Sequence, residues 1–360
     1  MKILVISLAG IGDTLLATSF IHELRANFPD ATIDALILWP GSLDALGGNP
    51  HLNHIHQKHL IKDSKISSLK FLRALKNKKY DVSINTHPQS RIHYRFAAAL
   101  AGAKTRISHE YESFGPFDRC LVNHTLPQDY ARHTIDNNLA VLPLLGARPL
   151  LPSHDMELFL SAEEEAWADS FIASRQLTSR KKLGIHVGSG GTKNLRLKRW
   201  PLTHYLELVK RLNHDRPDIS VLLFGGPEEQ ADHAAILAQA EGGRTIVSES
   251  RNLRQAAALI KRCDAFLSVD TALMHAAAAV KVPRQIVIEA PTLNATNLPY
   301  GNPYTLVPNP IVAGRNLDYY KYDGAGIRGT TEELLRCMAS ITVDNVLNTI
   351  SKVLPPQPPT

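Results

Sequence analysis

Lys2-Ile3-Leu4-Val5-Ile6-Ser7-Leu8, followed by Gly10-Ile11-Gly12-Asp13-Thr14, opens the chain and decides how the rest is read. The first seven residues form a continuous apolar run of the kind buried on both faces of a parallel sheet. Two glycines and an aspartate then punctuate it. Across residues 14–27, Leu16, Phe20 and Leu24 recur every fourth position, one face of a helix. A strand turning sharply into a helix is the opening unit of a doubly wound α/β domain.

That unit recurs. Strands are expected over 32–38 and 80–85, and helices over 70–78 and 94–101. The pattern weakens over 146–155, where Pro149, Pro152 and Ser153 read as a linker. It resumes with helices over 163–175, 202–211, 228–239, 253–261 and 271–280, and strands over 182–187, 219–224, 265–269 and 284–288. Residues 299–329 read as loop, and two last helices are expected from Thr330 and over 343–353. Two tandem βα halves predict two Rossmann-like, doubly wound parallel-sheet domains, over 1–150 and 156–325. Residues 326–360 are expected to pack back across the cleft between them.

With 44% apolar and 21% charged residues, the 360-residue chain has a globular composition. No apolar run approaches the ~20 residues of a membrane span. The apolar start is short and is interrupted by Gly10-Ile11-Gly12-Asp13, so no signal peptide is expected. Cys120, Cys263 and Cys337 are too scattered for a disulfide framework or a zinc site and suit a reducing cytoplasm. The net charge of +6 favours anionic partners. His54, His56 and His59 have loose metal-like spacing, but their segment reads as a surface loop without carboxylates, so no metal site is expected.

Four segments carry chemistry. Gly10-Ile11-Gly12-Asp13-Thr14 lacks both the third glycine of a dinucleotide fingerprint and the lysine of a P-loop. It leaves Asp13 at the carboxyl edge of the first strand, where open α/β sheets bind ligands; a plain helix N-cap explains it equally well. His186-Val187-Gly188-Ser189-Gly190-Gly191-Thr192, running into Lys198-Arg199-Trp200-Pro201, joins a loop of small residues to a cationic run and suits a phosphate. Phe224-Gly225-Gly226-Pro227-Glu228-Glu229 places a carboxylate where ribose hydroxyls could bond, or where it only complements a helix dipole. Asp270-Thr271-Ala272-Leu273-Met274-His275 ends a strand and begins a helix, with Thr271 and His275 sharing a face. A capping Asp270 and a packed core His275 are the plainer account.

In this order the segments resemble the heptosyltransferase family of lipopolysaccharide synthesis, glycosyltransferase family 9. The resemblance runs from Gly10–Thr18, through Tyr80–Asn85 with Ser90-Arg91 and His133 with Asn138-Leu139, to the donor-site segments above and Pro291-Thr292 with Pro299-Tyr300-Gly301. It implies the GT-B fold, two Rossmann-like domains facing each other across a cleft. It also implies inverting, metal-independent transfer of a sugar, foremost heptose from ADP-heptose, to a lipopolysaccharide-core saccharide. Asp13 would be the general base and Lys198 would neutralise the leaving diphosphate. Ser189, Thr192, Thr271 and the amides around Ala272 would hold the diphosphate, Glu228 the ribose, and Asp270 and His275 would orient sugar and phosphate. Gly12, Thr14 and Arg91 fall on the acceptor side, with Arg95 and Lys78 as further contacts for an anionic glycolipid. No D-x-D pair occurs, so neither a metal nor a separate cofactor is expected. A cytoplasmic monomer, peripheral on the inner membrane and binding no nucleic acid, is the implied setting.

Two positions depart from the family pattern. Ala272 stands where the family usually has Gly, and Glu289-Ala290 precede Pro291-Thr292 in place of an aromatic and Gly. They leave open a UDP- or GDP-sugar donor, or a protein that binds sugar nucleotides without turnover. A nicotinamide enzyme is disfavoured by the incomplete glycine fingerprint.

Overall fold

The computed structural model describes residues 1–60, 62–240 and 242–356. The chain divides into two compact units. The first comprises Met1–Phe159 with Ala295–Asn297 and Tyr322–Ala325; the second comprises Leu160–Asn294, Leu298–Lys321 and the chain from Gly326 onward.

The first unit is one parallel sheet of β1 (Lys2–Ser7), β2 (Thr32–Ile37), β3 (His54–Gln57), β4 (Val82–Asn85), β5 (Thr105–Glu110) and β6 (His124–Pro127). Its helices are α1 (Ile11–Leu16), α2 (Thr18–Asn27), α3 (Pro40–Leu46), α4 (Lys65–Asn77), α5 (Ile92–Ala101), α6 (Asp118–Leu121) and α7 (Thr134–Leu139). The second sheet holds β7 (Lys181–His186), β8 (Ile219–Phe224), β9 (Thr245–Val247), β10 (Ala265–Ser268), β11 (Gln285–Ile288) and β12 (Tyr304–Val307). Around it lie α8 (Ala162–Ser174), α9 (Leu202–Asp215), α10 (Gln230–Gln239), α11 (Leu253–Ile260), α12 (Ala272–Ala279), α13 (Asn316–Tyr319), α14 (Thr331–Ala339) and α15 (Val343–Val353).

The strand orders are β3-β2-β1-β4-β5-β6 and β12-β11-β10-β7-β8-β9. Counted from the first strand of each sheet these are the same order, 3-2-1-4-5-6, read from opposite ends. In such sheets the chain reverses direction between the first and fourth strands, and ligands bind at the carboxyl ends there. The reversal points are β1/β4, paired with Ile3 opposite Val82, and β7/β10, with Leu183 opposite Ala265.

The central strands read as apolar runs because both faces are covered: Ile3, Leu4, Val5 and Ile6 have no exposed surface. In the second unit, Trp200 is buried and its indole N–H donates to the Ile341 carbonyl at 2.8 Å. The last two helices and the residues that follow each complete that core with Met338, Ile341, Val346, Ile350 and Leu354.

Several expectations change. The segment around His54 and His56 is the edge strand β3, not a loop. It also has a carboxylate partner: His56 Nε2 lies 3.1 Å from Asp34 Oδ2, which accepts the Tyr80 hydroxyl at 2.5 Å. Burial alone would raise the Asp34 carboxyl, but the His56 and Tyr80 bonds hold it below its usual value. The stretch read as loop over 299–329 contains β12 and α13. The first helix is divided at Ala17, which caps both α1 and α2. Among the described residues all three cysteines are free thiols, and no helix is long and apolar enough to cross a membrane.

Candidate active site

In the first unit, β1 turns through Gly10 into α1. Asp13 sits half-buried in the first helical turn, and its Oδ2 accepts the Gly10 N–H at 2.7 Å. This satisfies one of the amides that a helix start leaves open. Asp13 also makes itself felt across the sheet edge. Burial raises the Tyr94 and Tyr111 phenols, and the nearby Asp13 charge adds to both shifts. Arg91, exposed just before α5, opposes the rise at Tyr94. Asp13 and Arg91 thus share the β1/β4 reversal point with two phenols that sequence reasoning missed. Gly12 lies half-buried beside Asp13, whereas Thr14 is fully buried, its hydroxyl 2.9 Å from that of Ser42 and 3.1 Å from the Gly10 carbonyl.

The segment after β4 is held by side chains. His87 N–H donates to Asn138 Oδ1 at 2.7 Å, and Gln89 N–H to the Tyr111 hydroxyl oxygen at 2.7 Å. Burial pushes His87 down to about 3, helped by His109, so the ring is neutral at pH 7. Tyr322 comes back to this unit: its N–H donates to the Tyr130 hydroxyl oxygen at 3.0 Å, and its ring meets His87 edge-on at 5.0 Å. The Asp318–Tyr322 run in the sequence was the one available signal. Two expected acceptor contacts are corrected. Arg95 is buried against Asp118 Oδ1 at 2.5 Å and donates to the Ser90 carbonyl, so it braces the loop from within. Lys78 lies where its carbonyl accepts from the Lys2 ammonium, at the amino edge of the sheet, opposite to Asp13.

In the second unit, the loop after β7 returns through a turn over Leu195–Lys198. Lys198 is buried, and its Nζ lies 3.2 Å from Asp270 Oδ2. Thr292, just beyond β11, donates to the same oxygen at 2.9 Å, and His275 Nε2 stands 3.9 Å from Asp270 Oδ1. Thr271 caps α12: its hydroxyl accepts the Met274 N–H at 3.4 Å and lies 3.1 Å from His186 Nδ1. Burial, with Arg199, His233 and Lys198 adding, pushes His186 down to about 3. The neutral ring shares one proton with the Thr271 hydroxyl, the direction following the tautomer. Lys198, Asp270, Thr271 and His275 therefore converge at the β7/β10 reversal point, with Ala272 half-exposed at the first position of α12. Thr292 and His186 belong to the same cluster; the segments that contain them carried the family resemblance, with no role for either residue.

The remaining candidates lie along the neighbouring loops. The Ser189 hydroxyl donates to the Leu195 carbonyl at 2.9 Å and accepts from Arg199 Nε at 3.2 Å. Thr192 is exposed. Glu228 is exposed and meets Arg196 at 3.3 Å. Its neighbour Glu229 is buried, accepts the Gly226 N–H at 2.9 Å and pairs with Arg199 at 2.8 Å. A Cβ added at Gly188 would collide with the Glu229 side chain, as would one at Gly225. These glycines make room for a protein carboxylate. Glu289, the departure from the family pattern, is also used internally: its Oε2 accepts the Asn309 N–H at 2.7 Å and its Oε1 lies 3.4 Å from the Asn316 amide.

Among the described residues, one cluster has metal-ligand composition: His22, His51 and Glu157, in the first unit. His22 Nδ1 and His51 Nε2 lie 2.9 and 3.4 Å from the two Glu157 oxygens. The imidazoles are stacked, with centroids 3.8 Å apart and planes within 14°. Their lone pairs therefore run side by side instead of meeting at one point, which does not suit a tetrahedral ion.

Two parallel sheets of the same strand order, each with polar residues at its reversal point, are the architecture of the GT-B fold. The model for glycosyltransferase family 9 (heptosyltransferase) matches residues 68–320, and the chain belongs to that family. It is 28% identical over 288 residues to lipopolysaccharide heptosyltransferase 3 of Escherichia coli, covering 76% of this chain and 78% of the relative. It is 27% identical over 314 residues to lipopolysaccharide heptosyltransferase 2 of E. coli K12, covering 79% and 81%. In fold it matches a family 9 glycosyltransferase from Veillonella parvula (TM-score 0.77, 20% identity, 98% of this chain and 97% of that one). It also matches E. coli ADP-heptose heptosyltransferase II (TM-score 0.71, 22% identity, 98% of each chain).

Proposed function

We propose that the protein transfers heptose from ADP-heptose to a saccharide of the lipopolysaccharide core, inverting the anomeric carbon without a metal ion. The relatives are lipopolysaccharide heptosyltransferases by name, and one matched structure, E. coli heptosyltransferase WaaC, holds ADP-2-deoxy-2-fluoro heptose. The observation that carries the reading is the buried Lys198 beside Asp270 and the capped start of α12. A lysine and first-turn amides are what a departing diphosphate needs when no metal serves it.

In this reading the acceptor hydroxyl oxygen attacks C1 of the sugar as Asp13 takes its proton. A carboxylate positioned against the attacking hydroxyl can take its proton in the transition state. The C1–O bond breaks, its electron pair leaves on ADP, and Lys198 and the α12 amides neutralise the charge. One displacement on one face inverts the centre. Asp270, supported by Thr292 and His275, holds Lys198 in place. Ser189, Thr192 and the Ala272 amide line the diphosphate, and Glu228 takes the ribose. Gly12, Thr14 and Arg91 shape the acceptor side. The acceptor is an anionic glycolipid, which places the reaction at the cytoplasmic face of the inner membrane; the enzyme works there as a monomer.

The test is nucleotide release by purified protein given ADP-heptose, a UDP-sugar or a GDP-sugar with a core-type acceptor. ADP release dependent on acceptor and unchanged by EDTA is expected, with the product's anomeric configuration read by NMR. Turnover of the UDP- or GDP-sugar alone would overturn the donor, and loss of activity in EDTA would overturn metal independence.

A further inference from the structure

On the first unit α4 and α5 bury one face each. Leu72 and Leu75 from α4, and Ala97, Ala98 and Ala101 from α5, pack on Leu4, Ile6 and Leu36. The opposite face of α5 carries a second apolar stripe. Ile92, Phe96 and Leu100 recur every fourth residue and are 39%, 39% and 41% exposed. Phe117, at the start of α6, is 57% exposed and extends the stripe, its ring 5.8 Å from that of Phe96. Ile66 and Leu69 of α4 are exposed as well. Helices at a protein surface normally turn charge outward, so a second apolar face marks a place of interaction.

The surroundings are strongly basic. Residues 62–121, which span α4, α5 and α6, contain twelve Lys and Arg and five Asp and Glu, a difference of +7 where the whole chain carries +6. Arg95 is spent on Asp118, but Lys70, Arg73 and Lys76 project from α4 into solvent. The stripe begins at Ile92, directly after Arg91 and at the sheet edge that carries Asp13.

We propose that the outer faces of α4, α5 and α6 are a docking surface for an anionic phospholipid bilayer. The proposal rests on the glycolipid-acceptor reading above and names the face that brings the enzyme to its acceptor. Charge selects the occupant. Two copies of so basic a face repel one another, and lysine is depleted in protein–protein interfaces. Aromatic and aliphatic side chains ringed by Lys and Arg are the composition of elements that lie in a headgroup layer. Each basic residue close to an anionic surface contributes roughly fivefold in partition.

Flotation of the full-length protein with phosphatidylcholine vesicles, with and without phosphatidylglycerol, tests this. Binding to the anionic vesicles, weakened by added salt, is expected. Phe96→Glu with Leu100→Glu should reduce partition by roughly tenfold or more. Lys70→Glu with Arg73→Glu should reduce it by at least roughly the twenty-five-fold of two lost charges. Both variants should melt like the wild type and turn over a delipidated, water-soluble acceptor at the wild-type rate. Equal binding to neutral and anionic vesicles, or variants that float like the wild type, would overturn the proposal. So would a wild-type dimer that Phe96→Glu dissociates in light scattering, since the face would then be a self-interface. Vesicle binding as expected but no turnover of the soluble acceptor would sustain the docking face and overturn the proposed reaction.

Discussion

Lys198 Nζ lies 3.2 Å from Asp270 Oδ2, with 8% of the lysine side chain and 11% of the aspartate exposed. Removing one partner from such a pair strands the other charge in the protein, which costs about 3–5 kcal/mol. Removing the electrophilic group from a leaving-group site costs about 10²–10³ in rate. Lys198→Met should therefore lose both. Adding Asp270→Asn to it should return part of the stability and none of the rate. Urea denaturation and ADP release, run on the same three proteins, check that split. A double variant that regains turnover would make the lysine a packing residue.

Asp13→Asn separates chemistry from folding. The asparagine side-chain oxygen can still accept the Gly10 N–H, the bond Asp13 makes at 2.7 Å, so the start of α1 should survive. The general base is lost. Turnover should fall by about 10²–10⁴, while ADP binding by calorimetry stays at the wild-type level. Wild-type turnover would leave Asp13 with its helix-start role alone.

How far this was legible in the sequence follows from burial. β1 (KILVIS), β7 (KKLGIH) and β8 (ISVLLF) announce themselves because both faces are covered along most of their length and their centres are largely apolar. β3, β6 and β12 do not. They are four-residue strands at or near a sheet edge, with sequences HIHQ, HTLP and YTLV and half-exposed side chains. Asp270 stood out at the end of a strand, where topology gathers ligands, and Lys198 in the cationic run that follows the loop after β7. Thr292 did not, because it approaches Asp270 from a different strand end. Arg95 looked like a surface cation because its partner Asp118 is 23 residues away in a separate helix. The reading of Gly188 as a phosphate-approach glycine missed Glu229 for the same reason.

Gly188→Ala tests that last point. The new methyl would overlap the Glu229 carboxylate, which is fixed by Arg199 and the Gly226 amide. Overpacking of this kind costs about 1–3 kcal/mol. The expected result is a lowered denaturation midpoint in urea. A variant as stable as the wild type would mean that Glu229 moves aside freely.

Glu289→Ala addresses the departure at the end of β11. The carboxylate accepts the Asn309 amide and lies beside Asn316, so its loss should destabilise the protein by about 1.5–3 kcal/mol. The KM for the donor should stay within about twofold, since the carboxylate is turned toward the 309–316 loop. A markedly lower donor KM would show that Glu289 faces the diphosphate after all.

Acid should weaken the fold before the carboxylates titrate. Burial holds His109 at about 4, against the smaller opposing pull of the Asn137 carbonyl, and holds His87 and His186 at about 3. The unfolded chain takes up these protons near 6.5, while the folded chain refuses them until the lower values are reached. The unfolded state therefore binds more protons throughout that window, and stability must fall as pH falls from 6.5. His109 alone accounts for roughly 3 kcal/mol between 6.5 and about 4. Carboxyls held low by their partners, such as Asp34 and Asp218, act in the same direction only below their unfolded values near 4. Urea unfolding across that range should therefore show a steep loss in the histidine window. His109→Gln, whose amide can still donate to the Asn137 carbonyl, should reduce that slope by close to one proton. A flat profile down to pH 5 would mean that the buried imidazoles reach solvent and titrate in the folded protein.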